Sequence, residues 1–231
     1  NNPTANAVAV KGDRILFAGS NDGVKAWCGA KTRIVDGGGC TLMPGFIDCH
    51  FHLLMGSLTL DKIHYENCFT YEDVTQAIRA FAAANPAEPW LTGFGLRYNL
   101  GPGNTPLTRQ HLDAILADRP VVITAYDGHT TWANTVALRT AGIFNGGECP
   151  PNSEIVLDEH GEATGELKEH ADAYISRLLP IPDEAHKRRM LKKGAQVAAQ
   201  MGVTSVHNMD GDDEQAALYA ALEAEGKLSV R

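Results

Sequence analysis

The 231-residue chain predicts an α/β fold: a β-rich opening segment, then strands alternating with helices, the pattern of a parallel sheet. Three observations carry this. Pro44-Gly45 divides the sequence, with alternating apolar residues and tight-turn signals before it. After it, short apolar strands are each followed by a segment of helical apolar period. One of these strands, Pro120-Val121-Val122-Ile123-Thr124-Ala125, is unbroken in its apolar character, as strands covered on both faces are.

In the opening segment, 1–44, Val8 and Val10 precede a Lys11-Gly12-Asp13 turn and Ile15, Leu16 and Phe17 follow it, which predicts a hairpin. Thr32-Arg33-Ile34-Val35 predicts a further strand, broken by Gly37-Gly38-Gly39. Four strand–helix units follow over 45–231. Phe46–His50 is the first strand, and Thr70 caps the helix carrying Val74, Ala77, Ile78 and Phe81, with Asp73 at its third position. Asn85-Pro86 stops that helix. Trp90–Gly95 is the second strand, followed by a helix with Leu112, Ile115 and Leu116. The third strand, Pro120–Ala125, leads into a helix over Trp132–Thr140.

Residues 143–182 are an excursion with a hairpin at Ile155–Leu157 and the stretch Gly165–His170. Asp183 caps a long helix lined by Met190, Gly194, Val197, Ala198 and Met201. Gly202–His207 is the fourth strand, and Asp213–Glu225 the fourth helix, with Leu218 and Leu222 inward. Gly226 and the apolar residues after it read as the start of another strand. A closed (β/α)8 barrel takes about 250 residues. The expectation is therefore the first half of a TIM-like barrel, strands 1–4 and the start of strand 5, within a longer protein.

Composition narrows the function. Forty-four per cent of the residues are hydrophobic, enough for a sizeable core, and the net charge of −8 argues against nucleic acid or an anionic membrane surface. No apolar run approaches the roughly 20 residues of a membrane helix. Five cysteines, odd in number and without a C-x-x-C pair, read as reduced thiols of a cytoplasmic protein. Gly93-Phe94-Gly95 lacks the third glycine of a dinucleotide fingerprint, and no phosphate-binding loop motif occurs.

His50-Phe51-His52 carries the chemistry. Side chains two apart on a strand share a face, roughly 6.6–7 Å apart along the chain. Two imidazoles so placed can lean onto one divalent cation, and the pair ends a strand at the edge where barrels place their chemistry. The bland alternative is a solvated loop pair. Asp48 shares the face of His50 and is positioned to orient an imidazole, or is a barrel-bottom polar group.

Leu42-Met43-Pro44-Gly45-Phe46-Ile47-Asp48-Cys49-His50-Phe51-His52-Leu53 resembles the opening of the amidohydrolase superfamily. Asp127-Gly128-His129-Thr130-Thr131-Trp132-Ala133-Asn134 and Ala163-Thr164-Gly165-Glu166-Leu167-Lys168-Glu169 resemble its family 3 branch, which includes N-substituted formamide deformylases. The resemblance implies a composite β-sandwich over 1–44 and a metal-dependent hydrolase barrel over 45–231. It implies His50 and His52 as metal ligands for one or two divalent ions, zinc first, and a bridging carboxylate further on. Glu169 is the first candidate for that bridge and Lys168, if carbamylated, the second; adjacent residues in extended chain point oppositely, so one of them serves.

The motif match gives His129 a substrate-binding or oxyanion-polarising role, against a structural one. His207 and Asp210 are candidates for contacting substrate or supporting a ligand. His64, His111, His160, His170 and His186 receive no role, and Trp90 and Trp132 read as core or pocket wall. The resemblance thus implies water-mediated cleavage of a non-peptide carbon–nitrogen bond in a small amide or formamide. The remaining ligands are expected on the C-terminal half of the same protein, so the piece alone is expected to be inactive. A homo-oligomer is an open alternative. Rival readings are a deaminase or isomerising hydrolase, a small-molecule-binding barrel without turnover, and a non-functional fragment.

Overall fold

The Lys11-Gly12-Asp13 signal is realised as a hairpin of β1 (Ala7–Lys11) and β2 (Arg14–Gly19), paired antiparallel. Gly12 takes the left-handed φ of +59° that the turn requires. The structure, a computed structural model, describes residues 4–231; the first three residues of the β-rich segment lie outside the described residues. A 3₁₀ turn (Gly23–Trp27) follows, with Trp27 stacked on Phe17 at 6.2 Å between centroids. The strand expected over 32–35 does not form. Among the described residues no strand pairs with it to complete its backbone hydrogen bonds, and Ile34 and Val35 stay exposed. The chain divides into two compact units, Asn1–Pro44 and Gly45–Arg231.

The second unit runs through β3 (Phe46–Phe51), α1 (Leu53–Ser57), β4 (Ile63–His64), α2 (Tyr71–Ala84), β5 (Leu91–Leu96) and α3 (Arg109–Ile115). It continues with β6 (Val121–Ala125), β7 (Thr130–Ala133), α4 (Thr135–Thr140), β8 (Glu154–Leu157) and β9 (Ala163–Lys168). A 3₁₀ turn (Glu169–Asp172), α5 (Ala173–Ser176), α6 (Glu184–Gln200), β10 (Val203–Asn208) and α7 (Asp213–Ala224) complete it.

These strands form two sheets. β3 and β10 pair parallel, Val203 opposite Phe46 and Asn208 opposite Phe51. Gly45 lies where they approach: a Cβ there would sit 2.1 Å from the Thr204 methyl. The other sheet has six strands in the order β4-β5-β6-β7-β9-β8. β4, β5 and β6 are parallel, whereas β7, β9 and β8 join by antiparallel pairing.

This topology corrects the expected succession of four neighbouring barrel strands. The strand over 202–207 does not follow β6 in one sheet; it lies against β3, and the six-stranded sheet is formed by the chain between them. A second correction concerns Trp132–Thr140. Trp132 belongs to β7, and the helix begins only after Asn134, whose Oδ1 accepts the Ala137 and Val121 amides at 3.0 and 3.1 Å. A side chain that caps a helix and closes a strand end marks a boundary that apolar period alone misplaces. The excursion 143–182 supplies β8 and β9.

Three apolar clusters hold the second unit together. One packs α2 and α3 on β4–β6 through Ile78, Leu91, Leu112, Ile123 and Trp132; a second surrounds Leu138, Ile143, Leu167 and Ile175. The third, with Leu53, Leu54, Leu191, Ala195, Leu218 and Leu222, supports β3 and β10 from behind. It joins α1, α6 and α7, and Gly194 lets α6 close on Ser57. Beyond β10, the Arg231 N–H donates to Thr204 O at 3.0 Å and Arg231 O accepts from Val206 N at 2.8 Å. That pair brackets Ser205 as a parallel neighbour would. No helix among the described residues is long and apolar enough to cross a membrane.

Candidate functional site

β3 ends at Phe51, and His52 is the N-cap residue of α1. This places His50 and His52 side by side, ring centroids 5.4 Å apart and planes at 67°. The alternation of the strand therefore delivers both imidazoles to one place. The Nδ1 of His52 lies 2.8 Å from Oδ1 of Asp210, just beyond β10. A carboxylate can only accept, so the imidazole donates from Nδ1, and in the neutral ring that leaves the lone pair on Nε2. Both partners are about one-third exposed.

Around this pair the ends of β3 and β10 are stitched together. Met209 N donates to Phe51 O at 2.8 Å, and Leu53 N donates to Asn208 Oδ1 at 2.8 Å. Asn208 Nδ2 also donates to the Asp210 carbonyl. Asp48 takes a different part from the expected one: its Oδ1 accepts the His50 backbone N–H at 3.0 Å. His207 lies exposed on β10.

Two imidazoles with a carboxylate behind one of them are a nitrogen donor set suited to zinc, cobalt or a similar ion. They are two of the three or four protein ligands such a site takes. Among the described residues no group of three or more His, Cys, Asp or Glu side chains is close enough to hold a metal. Among these residues Glu169 is not grouped with His50 and His52. Lys168 ends β9 and Glu169 follows it, in the six-stranded sheet, while His50 lies on β3 and His52 just beyond it, in the other.

Lys168 and Glu169 diverge from one another. Lys168 Nζ donates to Glu154 Oε2 at 2.7 Å across the β8–β9 pair, and that bond pushes its pKa up. An amine held as ammonium resists carbamylation, which needs the neutral form. Glu169 instead faces His129, Oε2 3.2 Å from Nδ1, and its N–H donates to His129 O at 2.8 Å. Glu169 also adopts φ +52°, a left-handed conformation that glutamate rarely takes.

A second carboxylate adjoins this pair and is not evident from sequence spacing. Tyr98, following β5, places its hydroxyl 3.2 Å from Asp127 Oδ2 and 3.0 Å from Thr130 Oγ1. Burial first, then donation to Asp127, pushes the Tyr98 pKa up. Asp127 Oδ1 accepts the His129 N–H at 3.1 Å. Tyr98 follows β5, Asp127 lies in the β6–β7 turn and Thr130 opens β7, so only the sheet brings them together. The signal available in sequence was the Asp127–Asn134 motif, which names the partners but not the tyrosine.

Of the histidines given no role, His64 meets Glu66, His111 sits in the cap of α3, and His186 reaches Asp61. Trp132 and Trp90 are buried in the apolar clusters.

Residues 33–231 match the sequence profile of the amidohydrolase family. The chain is 28% identical over 204 residues to Protein LONG AFTER FAR-RED 3 of Arabidopsis thaliana, covering 88% of this chain and 35% of that one. It is 27% identical over 234 residues to N-substituted formamide deformylase of Arthrobacter pascens, covering 98% and 43%. A crystal structure of an uncharacterized metal-dependent hydrolase from Pyrococcus horikoshii OT3 superposes with a TM-score of 0.63 at 23% identity. That superposition covers 97% of this chain and 43% of the other, a likeness of fold. The chain thus spans less than half the length of each of these relatives.

Proposed function

The chain belongs to the amidohydrolase family, and from that premise we propose that it is the N-terminal part of a metal-dependent hydrolase acting on non-peptide carbon–nitrogen bonds of small amides or formamides. The observation that carries the reading is the adjacency of His50 and His52 at the end of β3, with the Nδ1 of His52 committed to Asp210. The arrangement leaves a ring nitrogen of His52 available beside His50, as ligation of one cation requires. In this reading β3, β10 and the chain at Arg231 are successive parallel strands of a (β/α)8 barrel, and the six-stranded sheet is inserted between the first two. The unit Asn1–Pro44 is part of a β-sandwich completed elsewhere in the protein.

His50 and His52 would hold a divalent ion, zinc by the chemistry of their nitrogens. Such an ion, when bound, polarises a carbonyl and makes water nucleophilic near neutral pH. The chain's own residues orient what meets it. Asp210 fixes the tautomer of His52, and supporting carboxylates of this kind also raise ligand basicity. Glu169 and His129, coupled at 3.2 Å, form a carboxylate–imidazole pair able to move a proton to a leaving nitrogen. Asp127, held by Tyr98 and by the His129 amide, fixes the loop that carries His129. His207 is the further substrate-side candidate. Five unpaired cysteines fit a reducing, cytoplasmic setting.

The test is product analysis with the full-length protein on a panel of N-substituted formamides, simple amides and aminated heterocycles. Release of the amine together with formate or another carboxylate supports the proposal. Ammonia from the heterocycles alone assigns a deaminase instead, and no turnover after metal loading removes the hydrolase reading.

A further inference from the structure

α1 begins at His52, yet the His52 side chain makes no capping hydrogen bond to its own helix. An N-cap residue commonly satisfies one of the open amides of the first turn with its own side chain. Here Asn208, from the neighbouring strand, does so: its Oδ1 accepts Leu53 N–H at 2.8 Å. The same side chain turns its Nδ2 to the carbonyl of Asp210, whose carboxylate holds His52 Nδ1. Asn208 faces Phe51 in the β3–β10 register, so it lies at the point where the two strand ends diverge.

We propose that Asn208 is a positioning residue that pre-orients His52 as a metal ligand. By capping α1 in place of His52 it releases the imidazole, and by anchoring the backbone of Asp210 it aims that carboxylate at Nδ1. An asparagine suits the task because its short amide supplies an acceptor to one strand end and a donor to the other without charge. Aspartate retains the acceptor and loses the donor; leucine, close in shape, loses both. The proposal rests on the metal reading of His50 and His52 but has a consequence independent of any ion, the tautomer of His52.

The experiment compares the full-length protein with its Asn208→Asp and Asn208→Leu variants by long-range proton–nitrogen spectra of the imidazoles in metal-free buffer. The methyl shifts of Leu191 and Leu222 serve as the fold control. The native chain should hold His52 with its proton on Nδ1, and both variants should shift toward the Nε2–H form while the control shifts stay. Cobalt(II), added alone, should then bind roughly tenfold more weakly to the folded variants, the lower end of what loss of a supporting contact costs a metal site. An unchanged tautomer in folded Asn208→Asp overturns the proposal, and that variant decides if Asn208→Leu fails to fold. If the full-length native protein takes up no cobalt at His50 and His52, the metal reading fails and the tautomer comparison alone still judges Asn208.

Discussion

His129 and Glu169 grip each other at two points: imidazole Nδ1 to carboxylate Oε2 at 3.2 Å, and Glu169 N–H to His129 O at 2.8 Å. The second contact is made by a glutamate in the left-handed region, φ +52°. A non-glycine residue there carries about 1–2 kcal/mol of backbone strain, and residues held so cluster at functional sites. Strain and function should therefore separate on substitution. Glu169→Gly is expected to leave the melting temperature unchanged or raise it, while turnover by the full-length enzyme falls by at least tenfold. A lowered melting temperature with full turnover would make Glu169 a structural residue only.

Lys168 should be dispensable for chemistry. Its ammonium is engaged by Glu154 at 2.7 Å and its pKa is raised by that bond. Intact mass of the native protein is expected to show no added carbon dioxide at this lysine, and Lys168→Arg is expected to retain most activity. A carbamate mapped to Lys168 would reverse the assignment of the two neighbours.

Asp73 makes the stability of α2 depend on pH. Its carboxylate accepts the N–H groups of Phe69 and Thr70 at 2.9 Å, and these bonds, the one from Phe69 first, hold its pKa below the ordinary value. Because the folded pKa is depressed, the contribution is present above the unfolded pKa of about 3.9 and is lost as pH falls through the lower folded value. Asp73→Asn should thus lower the melting temperature at pH 7, with the gap to the native chain closing below about pH 4. A gap that persists undiminished at acid pH would point to a cause other than the charge.

Gly45 is where backbone proximity governs the strand pairing that carries the site. A Cβ there would meet the Thr204 methyl at 2.1 Å and its hydroxyl at 2.4 Å. Gly45→Ala is expected to cost about 1–3 kcal/mol, the range for overpacking, and Thr204→Ala in the same chain to recover part of it. Denaturant unfolding checks both, and no loss in Gly45→Ala would mean that the strands can separate freely at this point.

The legibility of the chain followed the range of the forces. Local signals were readable: the Lys11-Gly12-Asp13 turn, the Thr70–Asp73 cap and the apolar stripe through Val74 and Ile78 all form. So was His50-Phe51-His52, because strand alternation by itself brings the rings together. What failed was long-range pairing. Nothing local in Gly202–His207 says that it lies against β3 and not after β6, since any parallel strand shows the same apolar face. Trp132 reads as helical by period but is fixed in β7 by antiparallel pairing to Ile123. The parts played by Tyr98 and Asn208 exist only once that pairing is known.

The central claim is that His50 and His52 together bind a divalent cation. Elemental analysis of the full-length protein and of its His50→Ala and His52→Ala variants, purified side by side and checked for a native fold, tests it most directly. At least one equivalent of metal should be lost in each folded variant, with nearly all turnover. The same metal content in all three proteins would contradict the account at its root.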